Sequence, residues 1–383
     1  MHLITLLKNI YNRVSHAGGL TFFHSVEEDE VFLQSFPEPK SDIERSFFQY
    51  RCQKWSDKSE FKYFISNLIS AILIIPFMIK YRNNEKKCLY SGFDKNVMTA
   101  DFCRMGTIPE EINIEAPPIL IGNDEGMLTK EDLKWLKRIP IRRYGFFFYF
   151  KVLCRVAIYS RAIREHKPSK IFCSAEYSFT SSILTNYCEE RGIDHINIMH
   201  GEKIFALTDA FSRFTSFYIW DEEYKELFYK LRANKTNYII LPKTPFLLNK
   251  CTNNSFTYYL QSETIEQLRI IKKSMDSLKV EYSVRPHPIY GTKDIYKIFE
   301  KERIENNKMY TIKESLNNTK FAISVDSTVL YEAYLAGRKV IIDDVSNPQL
   351  FRELGKRNYI MMRKPHQLLS NVEKYGVEVI DIQ

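Results

Sequence analysis

From Lys170 onward the chain alternates short runs of β-formers with stretches whose apolar residues recur every three to four positions. KIFCSAE (170–176), HINIMHGE (195–202), SFYI (216–219) and NYIILP (237–242) have the length and apolar content of buried strands. Between them YSFTSSILTNYCEERG (177–192), closed by Gly192, and DEEYKELF (221–228) read as helices. The second half is cleaner. FTYYLQS (256–262), KVEYSV (279–284), KFAISVDST (320–328) and KVIIDD (339–344) predict strands. ETIEQLRIIKKSMDSL (263–278), KDIYKIFEKERIENN (293–307) and VLYEAYLAG (329–337) predict helices, the last ended by Gly337. Strand–helix alternation of this kind builds a doubly wound parallel sheet. The tail from Pro365 to Gln383 is expected to add a last helix and an extended segment.

Upstream the pattern is less regular. Residues 1–60 read as short helical pieces with acidic loops, VEEDE and EPKSD, and suggest no task. Tyr63 to Lys80 is apolar but holds Ser66, Asn67, Ser70 and Pro76. It falls short of the ~20 apolar residues of a spanning helix and reads as a buried core helix or an interfacial segment. PPILIG (117–122) reads as a strand, Asn123-Asp124-Glu125-Gly126 as a turn, and Thr129 as the N-cap of KEDLKWLKRI. Residues 136–165 then interleave Arg142, Arg143, Lys151, Arg155, Arg161 and Arg164 with Tyr144 and Phe146 to Phe150. Such a stretch is either a long helix with one charged face or a surface that docks on an anionic membrane.

At 383 residues the chain suits two domains. The polar, proline- and asparagine-containing segment from Lys243 to Phe256 sets the boundary, with domains at 1–245 and 250–383. A net charge of +8 suits an anionic partner, but no nucleic-acid-binding signature accompanies it. Seven scattered cysteines without a CxxC argue against a disulfide framework and against zinc, and for a reducing cytoplasm. The N-terminal MHLITLLKNIYNRV carries Lys8 and Arg13 in its apolar run and lacks a signal-peptide core.

Candidate chemistry clusters where predicted strands end. In Arg285-Pro286-His287-Pro288 the prolines stop the strand and hold His287 in a stiff loop at its carboxyl end, where open α/β sheets bind ligands. Asp326, Ser327 and Thr328 follow the next strand. Asp326 is expected to cap the helix, with the two hydroxyls in its first turn beside unpaired N–H groups, a phosphate site or simply an N-cap. Glu332 lies one turn further, within reach of a ribose, and Gln261 and Ser262 end a neighbouring strand. In the first half, His200-Gly201-Glu202 presents a histidine and a carboxylate at a strand end, or a loop acid paired with Lys203. Asp124 and Glu125 offer further acids, or only a turn.

Asp124-Glu125-Gly126, His287-Pro288 and Ser327-Thr328, taken in order, resemble the bacterial GT-B-fold sialyltransferases that build lipooligosaccharide, O-antigen and capsule. The HGE and RPHP pair is especially similar to the O-antigen enzymes. An HG loop followed by an HP loop also resembles the CDP-glycerol glycerophosphotransferases of teichoic acid synthesis. The resemblance covers Ala116 to Asp344 loosely and implies two Rossmann-like domains facing across a cleft. It implies CMP-sialic acid as donor substrate, no metal or other cofactor, and inversion at the anomeric carbon. His287 would contact the donor phosphate and assist departure of CMP, with Ser327 and Thr328 holding the same phosphate. Arg285, Glu332, Gln261 and Ser262 complete the expected donor site. An acid of the N-terminal domain would deprotonate the acceptor; Glu202, beside His200, is the expected base and Asp124 its competitor. The acceptor would be an oligosaccharide or lipid-linked glycan, reached from the cytoplasmic side of the inner membrane, with peripheral contact through 136–165. Another nucleotide-dependent transferase, using CMP-Kdo, a UDP- or GDP-sugar or CDP-glycerol, and a non-catalytic membrane-associated scaffold are the alternatives.

Overall fold

The structure is a computed structural model that describes residues 22–83, 97–99, 119–120, 126–199, 201–241 and 256–376. The described residues fall into two compact units, 22–241 and 256–376. The expected boundary segment, apart from Phe256, lies outside the described residues, as do Asn123, Asp124, Glu125 and His200.

The first unit opens with three helices: α1 (Val26–Gln34), α2 (Asp42–Asp57) and α3 (Glu60–Asn83). The acidic run VEEDE is not a loop but the first turn of α1. Ser25 and Glu28 form a reciprocal capping box there, and the acids sit at the positive end of the helix dipole. Helices α4 (Lys130–Leu136), α5 (Ile141–Tyr144), α6 (Phe146–His166), α7 (Ser181–Glu189) and α8 (Glu222–Lys230) follow. Thr129 caps α4 as its sequence position predicts, in a capping box with Asp132. The sheet comprises β1 (Val97–Thr99), β2 (Ile119–Leu120), β3 (Lys170–Cys173), β4 (Asp194–Ile198), β5 (Ser216–Ile219) and β6 (Asn237–Ile240). Their order is β2-β1-β3-β4-β5-β6, with every pairing parallel. Buried Ile171, Phe172, Ile196, Ile198 and Phe217 fill the strands.

Helix α6 carries most of 136–165. Phe148, Tyr149, Val152, Leu153 and Val156 are buried. The bases around it meet acids: Arg138 with Glu190, Arg143 with Glu44, Arg161 with Glu165 and Arg164 with Glu131. One face of this helix packs on the core, and of the six bases named in 136–165, Arg143, Arg161 and Arg164 meet acids of the same chain.

The second unit has five parallel strands: β7 (Phe256–Tyr259), β8 (Tyr282–Arg285), β9 (Phe321–Ser324), β10 (Lys339–Ile342) and β11 (Gln367–Leu368). Their order is β11-β10-β9-β7-β8. Helices α9 (Ile265–Ser277), α10 (Ile295–Ile298), α11 (Ile312–Asn317), α12 (Thr328–Leu335), α13 (Pro348–Lys356) and α14 (Leu369–Tyr375) connect and close it. Gly337 follows α12 at φ +70°, the left-handed position that lets a helix end without a Cβ penalty. The core is built from Phe256, Tyr258, Leu268, Ile271, Val284, Ile323 and Ile341. One predicted helix fails. Residues 293–307 form only α10 and a 3₁₀ turn at Lys301–Arg303, because the chain is drawn back to β8, where Ile304 bridges Val284 and Glu305 N–H donates to the Val284 carbonyl at 2.9 Å.

Both units thus carry a doubly wound parallel sheet whose strands are laid down in the same order: the second strand beside the first, then the third and later strands on the first strand's other side. In that order the winding reverses between the first and third strands, and ligands bind outside the carboxyl ends there.

Candidate functional site

In the second unit the reversal lies between β7 and β9, with β8 on the far side of β7. The register sets Tyr259 opposite Arg285 and Tyr258 opposite Ile323, so the loops leaving β8, β7 and β9 start at one level.

His287 leaves β8 in a turn that fixes its tautomer. The Nδ1 atom accepts the backbone N–H groups of Ile289 at 3.1 Å and Tyr290 at 3.0 Å. A nitrogen that accepts cannot carry the proton, so Nε2 is the N–H of the neutral ring and a hydrogen-bond donor. The ring stacks on Tyr290 with centroids 4.6 Å apart. Gly291 closes the turn, its N–H donating to the His287 carbonyl at 3.0 Å. A Cβ on Gly291 would come within 2.6 Å of that same carbonyl oxygen. Thus SVRPHPIYG is one unit: prolines stop the strand, histidine caps the turn, and glycine permits it. Arg285 is engaged elsewhere. Buried at the end of β8, it pairs with Glu305 and donates through Nη2 to the Tyr310 carbonyl at 2.8 Å.

At the end of β9 the cap is Ser327, whose hydroxyl accepts the Val329 N–H at 3.3 Å, rather than Asp326. Asp326 stands one residue ahead of that cap, in the short link after β9, which ends at Ser324. Burial pushes the Asp326 carboxyl up to about 6. Thr328 opens α12 and Glu332 stands four residues along the same helix, half-buried.

Beside them, β7 stops at Tyr259, short of Gln261 and Ser262. The Gln261 N–H is taken by both oxygens of Glu263, at 2.9 and 2.8 Å. In the sequence Glu263 is only the first residue of the predicted helix 263–278. Its carboxyl is raised to about 7, by burial first and further by the nearby charges of Asp326 and Asp343. Asp343, at the end of β10, is itself used: Tyr258 Oη donates to it at 2.5 Å, and Val345 and Ser346 N–H groups at 2.7 and 2.9 Å. Among the sequence-predicted donor residues, this edge brings together His287, Gln261, Ser262, Ser327 and Thr328 on adjacent strand ends. Arg285 is turned to Glu305.

In the first unit the reversal lies between β1 and β3, and the polar edge is built on β3 and β4. Glu176, two residues beyond Ser174 after β3, is fully buried. It accepts Asn197 Nδ2 at 2.8 Å and forms an ion pair with Lys203. Asp209 joins this cluster. Its carboxyl is pushed up to about 6 by burial, against the pull of Lys203 and with the repulsion of Glu176. Burial pulls Lys203 down, but Glu176 and Asp209 more than offset it and hold the ammonium above its ordinary value. So Lys203 serves Glu176, where the sequence offered it to Glu202. Glu202, in the same loop, keeps both carboxylate oxygens shielded from solvent.

Helix α2 holds this edge, which gives residues 42–57 a task. Gln49 Nε2 donates to the carbonyls of Glu176 at 2.6 Å and Thr208 at 2.9 Å, and Gln53 donates to Tyr177 O. The acid at the end of KIFCSAE is the signal that would have found Glu176. Asp209 ends a 3₁₀ turn at Leu207–Asp209 and has none.

His195 is a different case. It is buried with Nδ1 2.8 Å from Thr185 Oγ1 and Nε2 3.1 Å from Tyr159 Oη, and burial lowers it to about 3, so it is a neutral core residue. Among the described residues no group of three or more His, Cys, Asp or Glu is arranged to hold a metal ion.

No family model matches the sequence, and no curated protein does. Solved structures do resemble it. Sucrose-phosphate synthase from Thermosynechococcus elongatus is 8% identical at a TM-score of 0.36, covering 60% of this chain and 73% of that one. The wall teichoic acid polymerase TagF is 10% identical at 0.41 in one CDPG-soaked crystal, covering 84% and 92%. In a second soak it is 9% identical at 0.42, with the same coverage. Likenesses of this order leave the reaction to be read from the residues.

Proposed function

We propose that the chain is an inverting glycosyltransferase that moves sialic acid from CMP-sialic acid to a galactoside-type acceptor. The observation that carries this reading is the turn at His287, in which Nδ1 accepts two backbone N–H groups. A neutral imidazole whose Nδ1 is locked by two backbone N–H groups offers Nε2–H as a fixed donor. Leaving-group departure builds charge on the CMP phosphate, and donors set in advance around that charge lower the barrier. Ser327 and Thr328 at the start of α12 supply hydroxyls and the positive end of a helix two strands away. Glu332 and the Gln261–Ser262 loop complete the donor side. In this reading Arg285 positions the loop through Glu305 and does not touch the phosphate.

The acceptor hydroxyl would lose its proton to Glu202, with Asp124 the competing base and His200 beside it. No metal enters the scheme, since the histidine and the helix end stabilise the phosphate. The acceptor would be an oligosaccharide or lipid-linked glycan of a bacterial surface polysaccharide, such as O-antigen or capsule, and the enzyme would work in the cytoplasm at the inner membrane.

Nucleotide-dependent thermal shift tests the donor. A ligand at 100 times its Kd stabilises the folded protein by about 2.7 kcal/mol, so CMP should raise the melting temperature and UDP and GDP should not. A shift with UDP alone would replace CMP-sialic acid by a UDP-sugar. A shift with CDP-glycerol alone would move the chain to glycerophosphate transfer, and none with any nucleotide would favour a non-catalytic scaffold.

A further inference from the structure

Helix α3 was expected to be buried or interfacial. One of its faces is held by the protein. Tyr63, Ser70, Ile74 and Tyr81 are buried, and Asn67 Oδ1 accepts the Phe147 N–H at 2.9 Å. Phe77 meets Phe150 edge-on at 5.3 Å, and Leu128 N–H donates to the Tyr81 carbonyl at 3.1 Å. The opposite face is open. Phe61, Phe64, Leu68, Ile72, Ile75 and Ile79 are all exposed, Phe61 by 75% and Ile72 by 74%. Pro76 is the one other exposed residue between Phe61 and Ile79. At ~1.5 Å per residue the stripe is about 27 Å long.

We propose that this face of α3 lies in the plane of a lipid bilayer, with its side chains in the boundary between headgroups and acyl chains. Three observations select lipid as the occupant. First, no exposed side chain from Phe61 to Ile79 can donate or accept a hydrogen bond. A protein interface is crossed by about one hydrogen bond per 100–200 Å², whereas acyl chains offer none. Second, the stripe runs out into exposed Lys80 and Arg82, and α3 has no acid after Glu60, itself paired with Lys54. Bases at the margin of an apolar stripe suit anionic headgroups, as does a net charge of +8. Third, the buried face with its bonds to Phe147 and Leu128 holds the helix against the protein, so it lies on the membrane and does not cross it. The contact is placed on α3 and not on 136–165, where Arg138, Arg143, Arg161 and Arg164 meet acids of the same chain.

Vesicle flotation of the full chain tests this. Wild type should float with 3:1 phosphatidylcholine/phosphatidylglycerol vesicles and more weakly with phosphatidylcholine alone. Ile72→Glu and Ile75→Glu should each lower the bound-to-free ratio at least about tenfold, since one buried aliphatic side chain accounts for more than a factor of ten. Both sites are exposed, so circular dichroism and melting temperature should be unchanged. Lys230→Glu, on exposed α8, should float as wild type does. Four results would overturn the proposal. Wild type stays unbound; or the α3 variants float unchanged; or carbonate at high pH fails to release the chain, which means a spanning helix. The fourth is a lipid-free dimer in sedimentation velocity that Ile72→Glu dissociates, which means a second copy covers the face. Flotation does not depend on the reaction: a chain inactive with every donor would still float, and an active chain that stays unbound would keep its transfer activity.

Discussion

Lys203→Met removes the ammonium that pairs with the buried Glu176 carboxylate. The carboxylate still accepts from Asn197 Nδ2 at 2.8 Å and lies near Asp209, a second buried acid. Breaking a buried ion pair from one side costs about 3–5 kcal/mol, because the remaining charge stays desolvated. For a unit of this size each kcal/mol moves the melting temperature by roughly 2–4 °C, so a fall of about 6–20 °C is expected. The sign with pH follows from the acids. Asp209 already has a raised carboxyl, near 6, and loss of the Lys203 ammonium that pulls it down raises it further. An acid raised on folding binds more protons folded than unfolded, so stability falls as pH climbs from the unfolded value through the folded one. The deficit of the variant should therefore be larger at pH 8 than at pH 5. Tryptophan fluorescence isolates the right unit, since Trp55, Trp135 and Trp220 are the chain's three tryptophans and all lie in it. Adding Glu176→Gln to Lys203→Met should recover much of the loss. A deficit under about 1 kcal/mol at pH 8, or one equal at both pH values, would refute the buried-pair account.

Other outcomes follow from the same geometry. His287→Asn keeps an acceptor for the turn but loses the Nε2 donor, so it should fold normally and lower kcat by about 10²–10³. His287→Ala should lose the turn as well, seen as extra protease sensitivity near residue 290. Gly291→Ala forces a Cβ against the His287 carbonyl oxygen and should depress donor turnover by displacing the loop, with little change in the fluorescence-monitored melt of the other unit. Glu202→Ala should abolish transfer while leaving nucleotide-induced stabilisation intact; near wild-type turnover in it, with loss in Asp124→Ala, would make Asp124 the base. Donor binding should weaken as pH rises from about 6 to 8. Glu263 near 7 and Asp326 near 6 lose their protons over that range and then repel an anionic phosphate, a trend measurable by titration calorimetry.

The parallel sheets were legible because buried strands leave near-continuous apolar runs between amphipathic helices. FTYYL and KVIID carry that signature, and Phe256, Tyr258, Val340 and Ile341 are buried where it predicts. The stop at RPHP was legible for a covalent reason, since proline has no N–H to give. What stayed hidden depends on tertiary neighbours. Arg285 looked like a phosphate ligand until Glu305, 20 residues on, returned beside β8. That return is also why 293–307 is not a helix. Glu176, Lys203 and Asp209 form one cluster only because β3, β4 and the following loop meet in space. Which of the two readings of α3 holds was not legible, because apolar composition alone does not say which face is covered.

The central claim is tested most directly by incubating the purified chain with CMP-sialic acid and a panel of galactosides, following CMP release and product mass together. The account predicts CMP release coupled to an acceptor heavier by one sialic acid residue, lost in His287→Asn. Inert CMP-sialic acid, with turnover of a UDP-sugar or CDP-glycerol instead, would contradict it.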